Sequence, residues 1–363
     1  MIFSPDITHH LNFSVRPRVT GVKFIARRIC GKVAAMTLRF MVTTLGGALA
    51  AAAALSLFLC AQAQPYPNKP LRILVGFSPG GASDITTRII GQKLGEAFNQ
   101  PVITDNRAGA SGAIAARIVA QAAPDGYTLL SGATSILAIN PAMMRAPGYD
   151  SIRDFTPVSH TVLMPQLLVV HPTLKAGTLK ELIALAKARP GELNYSSSGS
   201  GSSSHLAIEL LKFMTGINLV HVPFKGSGQS MPALLAGQVQ MIFDPMPTSL
   251  PHVKSGKLRA LAISTAKRSP AAPDLPTAAE AGVPGFESSL WYGLLLPAGA
   301  SGGLVERLNK ATNDALRASD LVERFAALGA EPLGSTADAF SKTITGEISK
   351  WAKVIKSAGI RAE

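Results

Sequence analysis

Four glycine- and serine-rich loops, each set between an apolar strand-like run and an amphipathic helix-like run, limit what this chain can fold into. They are SPGGASD (78–84), NRAGASGA (106–113), SSSGSGSSSH (196–205) and FKGSGQS (224–230). A strand that feeds a helix through a short polar loop is the unit of an α/β architecture, and its repetition here predicts mostly parallel sheets. The start of each helix exposes unpaired backbone N–H groups and the positive end of the helix dipole. Glycine lets a ligand approach that backbone and serine adds hydroxyl donors. Several such ends facing one cleft would hold a small anion with no metal and no cofactor, which points to a carboxylate receptor.

The individual runs support this reading. LRILVGF, PVITDN and YTLLSGA read as three strands, with ITTRIIGQKLGEAF, capped by Ser83 or Asp84, and SGAIAARIVAQA as the helices between them. QLLVVHP opens a second series. Thr178 and Glu181 form a capping box for LKELIALAKA, which Pro190-Gly191 ends. LNYSS, NLVHVPF, VQMIFDP and LRALAIS follow as strands, with HLAIELLKFM and MPALLAG as helices. WYGLLLPAG matches QLLVVHP in placement. The last third is helical: LVERLNKATNDAL, LVERFAALG, and a stripe of Phe340, Ile344, Ile348, Ala352 and Ile355. A chain of 363 residues is long enough for two α/β units, and the cleft between them is the natural ligand site.

The N-terminus sets the compartment. Basic residues up to Arg39 precede an apolar run from Phe40 to Cys60 and then Ala61-Gln62-Ala63, the pattern of a secretory signal peptide cleaved after Ala63. Met36 fits as the start of a leader of normal length. The alternative is an uncleaved anchor; Leu59 is the wrong residue for a lipobox at Cys60, and Arg27-Arg28 lies far from the apolar run. Both cysteines, Cys30 and Cys60, fall inside the leader, so the mature chain offers no disulfide, thiol nucleophile or cysteine metal site. The net charge of +13 shrinks too, because residues 1–63 hold seven Lys/Arg and one acid, leaving 28 basic and 21 acidic residues beyond them. Those are scattered, which argues against a nucleic-acid surface.

Each motif has a plainer alternative. SPGGASD also serves as a strand-to-helix turn, and SSSGSGSSS has the composition of a linker. His205 either donates to an anion or caps its helix, Lys225 either contacts a carboxylate or stays solvated, and Asp244 either accepts from a ligand amine or hydroxyl or fixes its neighbours. Trp291 and Tyr292 either wall the cleft or pack the core. No nucleophile elbow, phosphate-binding P-loop or dinucleotide fingerprint is expected, and the histidines are too scattered for a zinc site.

Taken together, YPNKPLRILVGFSPGGASDITTR, DNRAGASGAIAA, PDGYTLL, ELNYSSSGSGSSSHLAIELL, LVHVPFKGSGQSMPALLAGQVQMIFD and WYGLLLPAG occur in the order found in one family. The chain resembles the substrate-binding proteins of tripartite tricarboxylate transporters, the Bug family of extracytoplasmic solute receptors, over nearly all of residues 65–363. The resemblance implies a type II periplasmic-binding-protein fold of two α/β domains. One is discontinuous, over 64–165 and 290–363, the other spans 166–289, and residues 1–63 form the N-terminal extension and leader.

It also implies a small carboxylate ligand (a di- or tricarboxylate, an aromatic acid or an amino acid) held by main-chain and hydroxyl groups. The carried-over positions are Phe77, Ser78, Gly81, Asp84, Thr134 and Ser135 in the first domain. In the second they are Ser198, Gly199, Ser203, His205, Lys225, Gly226 and Asp244. The expected protein is a periplasmic monomer without catalytic residues, metal or cofactor, which delivers its ligand to the membrane permease subunits of a tripartite tricarboxylate-type transporter. A ligand sensor serving a membrane histidine kinase and a secreted serine amidase are the competing functions.

Overall fold

The computed structural model describes residues 66–360 and, in the leader, Met36, Arg39, Phe40, Met41 and Thr43. The signal-peptide cleavage site, Cys30 and Cys60 lie outside the described residues. The described residues from Pro67 onward form one compact unit.

Its first sheet is built from β1 (Leu71–Val75), β2 (Val102–Asn106), β3 (Thr128–Ala133), β4 (Phe155–Met164), β10 (Leu290–Pro297) and β11 (Glu331–Pro332), in the order β11-β4-β10-β3-β1-β2. The second holds β5 (Gln166–Val170), β6 (Asn194–Ser197), β7 (Val220–Pro223), β8 (Met241–Pro245) and β9 (Arg259–Ile263), in the order β7-β6-β8-β5-β9. The chain passes from the first sheet to the second between Met164 and Gln166 and returns ahead of Leu290.

The sheets are mixed rather than mostly parallel, which corrects the sequence expectation. β1 pairs in parallel with β2 and β3, but β10 runs antiparallel to both β3 and β4. In the second sheet β6 is parallel to β7 and β8, whereas β5 is antiparallel to β8 and β9. In each sheet the strand that follows a crossover runs antiparallel to both its neighbours, so QLLVV and WYGLLLP do hold matching places. Both are buried at every residue, as expected of strands covered on two faces.

β5 shows how the pleat shares this burial. Leu168 and Val170 join Phe243 and Tyr195 in one hydrophobic cluster, while Leu167 and Val169 join Ile242 and Met246 on the opposite face.

Helices cover both sheets: α1 (Ala82–Phe98), α2 (Ala113–Ala120), α3 (Asn140–Met143), α4 (Leu179–Ala188), α5 (Ser203–Thr215), α6 (Ser227–Leu235), α7 (Met246–Lys254), α8 (Gly302–Arg317), α9 (Ser319–Ala327) and α10 (Ala337–Ser357). α8 and α10 pack on β4, so the C-terminal third belongs with the first sheet.

β4, FTPVSHTVLM, is a strand that the sequence pattern did not reveal. Its Thr156, Ser159, His160 and Thr161 break the apolar run, and Pro157 counts against a central strand. Two of those hydroxyls find partners in the fold: Ser159 Oγ lies 2.8 Å from Asn313 Oδ1, and Thr161 Oγ1 donates to the Tyr292 carbonyl at 3.0 Å.

Several boundaries differ from expectation. α1 begins at Ala82 with Gly81 as N-cap, so Ser83 and Asp84 lie in its first turn and neither caps it. α2 begins at Ala113 because Ala110 and Ser111 adopt left-handed backbone, φ 46° and 49°. Thr178 Oγ1 accepts from the Glu181 amide at 3.2 Å as the capping box requires, but the Glu181 carboxylate accepts from Gly177 instead of Thr178. On α10 the buried stripe runs Phe340, Ile344, Trp351 and Ile355, and Ala352 is exposed.

Candidate functional site

The expected strand-to-helix loops carry the chain from β1 to α1, β2 to α2, β6 to α5 and β7 to α6. They meet in pairs. The first loop presses on the fourth: the Ser78 amide donates to the Lys225 carbonyl at 3.0 Å. The second presses on the third: Ser111 Oγ donates to the Ser200 carbonyl at 2.5 Å, and the Ser111 carbonyl accepts from Asn140 Nδ2 at 3.2 Å. The two sheets with their helices are thus held closed on each other. The left-handed backbone at Ser111, costly for a residue with a Cβ, is held by this pair of bonds.

Glycine makes the contact possible. A Cβ at Gly228 would lie 2.2 Å from the Pro79 carbonyl oxygen, and one at Gly226 would lie 2.6 Å from Ser78 Oγ. Gly226 also has φ +133°, and a Cβ at Gly199 (φ +125°) would lie 3.0 Å from the Phe224 oxygen and 3.1 Å from Ser111 Oγ. These glycines make room for the lobes to pack against each other.

Between the loop pairs lies a small cavity lined by Phe77, Gly81, Ala82, Ser83, Ser198, Ser202, Ser203, Ser204, Ser227, Pro245, Leu290 and Tyr292. Three helices start at its wall: α1 at Gly81–Ser83, α5 at Ser202–Ser204, and α6 at Ser227. Each contributes first-turn N–H groups and a positive dipole end. Five serine hydroxyls beyond Ser198 add donors, while no lysine, arginine, histidine, aspartate or glutamate lines the wall.

Of the residues singled out in the sequence, Phe77, Gly81, Ser198 and Ser203 line this cavity. Ser198 Oγ lies 3.3 Å from Ser204 Oγ and 3.4 Å from Ser227 Oγ, so one serine row spans α5 and α6. The others stand behind the wall or between the lobes. Ser78, Gly199 and Gly226 form the interlobe contacts, and Lys225 takes part through its carbonyl while its side chain is exposed.

Asp84 accepts from the Gly80 amide at 3.0 Å and pairs with Arg88 at 2.9 Å. Arg88 also donates to Asn106, whose side-chain amide donates to the Phe77 carbonyl. Burial opposes the charge on Asp84, but the bonds from Arg88, Gly80 and Asn106 outweigh it and hold its carboxyl below the ordinary range. Asp84 therefore braces the first loop.

Thr134 is buried with its hydroxyl bonded to both the amide and the carbonyl of Trp291, and Ser135 opens a π-helical turn (Ser135–Ile139). His205 Nδ1 accepts from the Gly201 amide at 3.1 Å, and its ring stacks on His221 at 4.1 Å, so it supports the third loop from beneath. Asp244 is wholly buried beside the wall residue Pro245; its Oδ2 accepts from Thr248 Oγ1.

Ala82, Ser83, Ser202, Ser204, Ser227, Pro245 and Leu290 were missed, although all but Pro245 and Leu290 belong to the motifs singled out. Tyr292 faces the cavity, whereas Trp291 points to the opposite face, where its indole donates to Glu347 at 3.1 Å. Strand alternation could have separated the two. Gly76-Phe77-Ser78-Pro79-Gly80 does carry the G-x-S-x-G spacing, contrary to expectation. Its serine is buried against Gly226 and Gly228 of the opposing loop.

Among the described residues no helix is long and apolar enough to cross a membrane, and no group of three or more His, Cys, Asp or Glu is placed to hold a metal.

Two α/β lobes closed over a cavity lined by helix N-termini define a solute receptor of the periplasmic-binding-protein type. Residues 86–360 match the model of the tripartite tricarboxylate transporter family receptor, and the chain belongs to that family. It is 40% identical to protein BugT of Bordetella pertussis over 300 residues, 82% of this chain and 92% of the relative. Among solved structures it is similar to R. palustris Rpa4515 with adipate (TM-score 0.80, 39% identity, 82% of this chain and 99% of that one). It is also similar to MatC (Rpa3494) from Rhodopseudomonas palustris with bound malate (TM-score 0.77, 33% identity, 80% and 100%). Membership of the family implies a periplasmic location and work alongside a membrane transporter.

Proposed function

We propose that this protein captures a small carboxylate in the cavity between its lobes and delivers it to the membrane subunits of a tripartite tricarboxylate-type transporter. The observation that carries this reading is the convergence of three helix N-termini on a cavity rich in serine hydroxyls and free of charged side chains. Neutral donors with positive dipole ends favour an anion and leave no cation to be desolvated. The adipate and malate carried by two similar receptors support a dicarboxylate. Phe77, Gly81, Ser198 and Ser203, with Ser83, Ser202, Ser204 and Ser227, are the proposed contacts, and Tyr292 and Leu290 the apolar wall. Residues 64–165 and 290–363 make one domain and 166–289 the other, so a ligand bridging both favours the closed state.

A ligand that binds only the folded protein raises its melting temperature. A thermal-shift panel of dicarboxylates, tricarboxylates, aromatic acids and amino acids should therefore give a concentration-dependent rise for at least one acid. No shift for any of them, with no heat in titration calorimetry, would overturn the reading.

A further inference from the structure

Asp244 is an acid set directly behind an anion site. Its side chain is fully buried. One oxygen accepts from Thr248 and the other meets no hydrogen-bond donor placed to bond it well, although the Ser227 hydroxyl faces the carboxyl. Its neighbours Ser227, Pro245 and Tyr292 are themselves the cavity wall.

Among the described residues no cation is paired with this carboxyl. Tyr292 of β10 is the ionisable group that shares the carboxylate's field. On β6 and α5, Tyr195, Glu209 and Lys212 bond one another, and His205 faces Gly201. On α7, His252 and Lys254 lie at the far end from Asp244. β5 and α6 contribute apolar, hydroxyl and amide side chains only.

An ionised Asp244 would compete with a bound anion for the same helix dipoles and repel it across a wall one side chain thick. Two anions so placed in a desolvated site do not both stay charged.

We infer that Asp244 couples anion capture to a proton: the closed receptor holds its carboxylate ligand with Asp244 in the neutral COOH form, the proton coming from solvent. This rests on the carboxylate-receptor reading above. Burial pushes the Asp244 carboxyl up to about 7, against the opposing hydrogen bonds from Thr248 and Ser227, so the coupling falls in the physiological range. Asp244 then acts through the wall without touching the ligand, by setting the charge that the site as a whole carries.

The test uses the mature receptor with adipate as the probe, by calorimetry at pH 6.5 and pH 8.5. Wild-type affinity should fall roughly 25-fold over that interval, as expected when binding one anion requires one proton on a group that titrates near 7. Asp244→Asn should bind with the same affinity at both values. Thr248→Val, which removes a bond favouring the charged form, should keep the pH dependence but move its onset upward, an effect that a purely structural role for Asp244 would not produce. A wild-type affinity independent of pH, or an equal dependence in Asp244→Asn, overturns the inference. If adipate binds at neither pH, that failure counts against the carboxylate reading, and difference infrared spectra of the ligand-free proteins decide Asp244. A protonated-carboxyl band at pH 6.5, absent from Asp244→Asn, supports the inference, and its absence from the wild type overturns it.

Discussion

The backbone N–H of Ser78 donates to the carbonyl of Lys225 at 3.0 Å, joining the loop after β1 to the loop after β7. The bond needs no side chain from either residue, but it needs the two loops to approach closely. Gly226 and Gly228 leave the room for that approach.

Closure should therefore fail when Gly228 acquires a side chain. The residue lies in the first turn of α6, where alanine is a better helix former than glycine, so the second lobe itself should fold normally. The new Cβ would strike the Pro79 carbonyl. Gly228→Ala should weaken binding of a responsive acid about ten-fold or more, roughly 1.4 kcal/mol, with little change in the melting temperature of the ligand-free protein. Isothermal titration and small-angle scattering, which reads the open shape, would check this.

Ser202 caps α5, its Oγ accepting from the His205 amide at 3.3 Å. Ser202→Ala should cost about 1 kcal/mol of stability in denaturant unfolding, the usual loss for a cap. Ser203→Ala, one residue on, removes a cavity hydroxyl but no cap and should weaken ligand binding without that cost.

Gly293 interrupts the apolar run of β10 because Phe340 of α10 lies against it: a Cβ there would fall 2.1 Å from Phe340 Cζ. Gly293→Ala should destabilise the protein by about 1–3 kcal/mol, the usual range for overpacking a core. Pairing it with Phe340→Leu should recover part of the loss, measured as a coupling energy in a double-mutant cycle.

His160 is stacked on Phe340 and meets Trp291 edge to face, and burial lowers its imidazole to about 4 despite the opposing influence of Glu347. The folded state keeps this ring neutral at pH values where the unfolded chain, near 6.5, already takes up a proton. Stability should therefore fall as pH drops from about 6.5 towards 4, with no contribution from this group above that window. His160→Phe, which retains an aromatic ring, should flatten that part of the profile in pH-dependent denaturation, and an unchanged slope would count against the assignment.

Legibility in the sequence followed the range of the interaction. QLLVV and WYGLLLP announce themselves because two-sided burial leaves only apolar residues in the run. FTPVSHTVLM of β4 does not, since Ser159 and Thr161 are satisfied by Asn313 and Tyr292, more than a hundred residues away. The loops were legible for the same local reason as the helices they start. His205 was not, because its ring turns back to Gly201 and His221 instead of outward.

By itself the sequence determined most of the alternation of strands and helices and the placing of serine and glycine at helix starts. Both are set by patterns a few residues long. Only the tertiary structure decided that the sheets are mixed and which hydroxyls face the cavity. It also decided that Gly226 and Gly228 serve the closure, while Ser83, Ser202, Ser204 and Ser227 join the wall. The physical reason is that a first-turn residue can point at a ligand, at its own helix or at the opposing lobe. That choice depends on how two loops more than a hundred residues apart in sequence come to rest against each other.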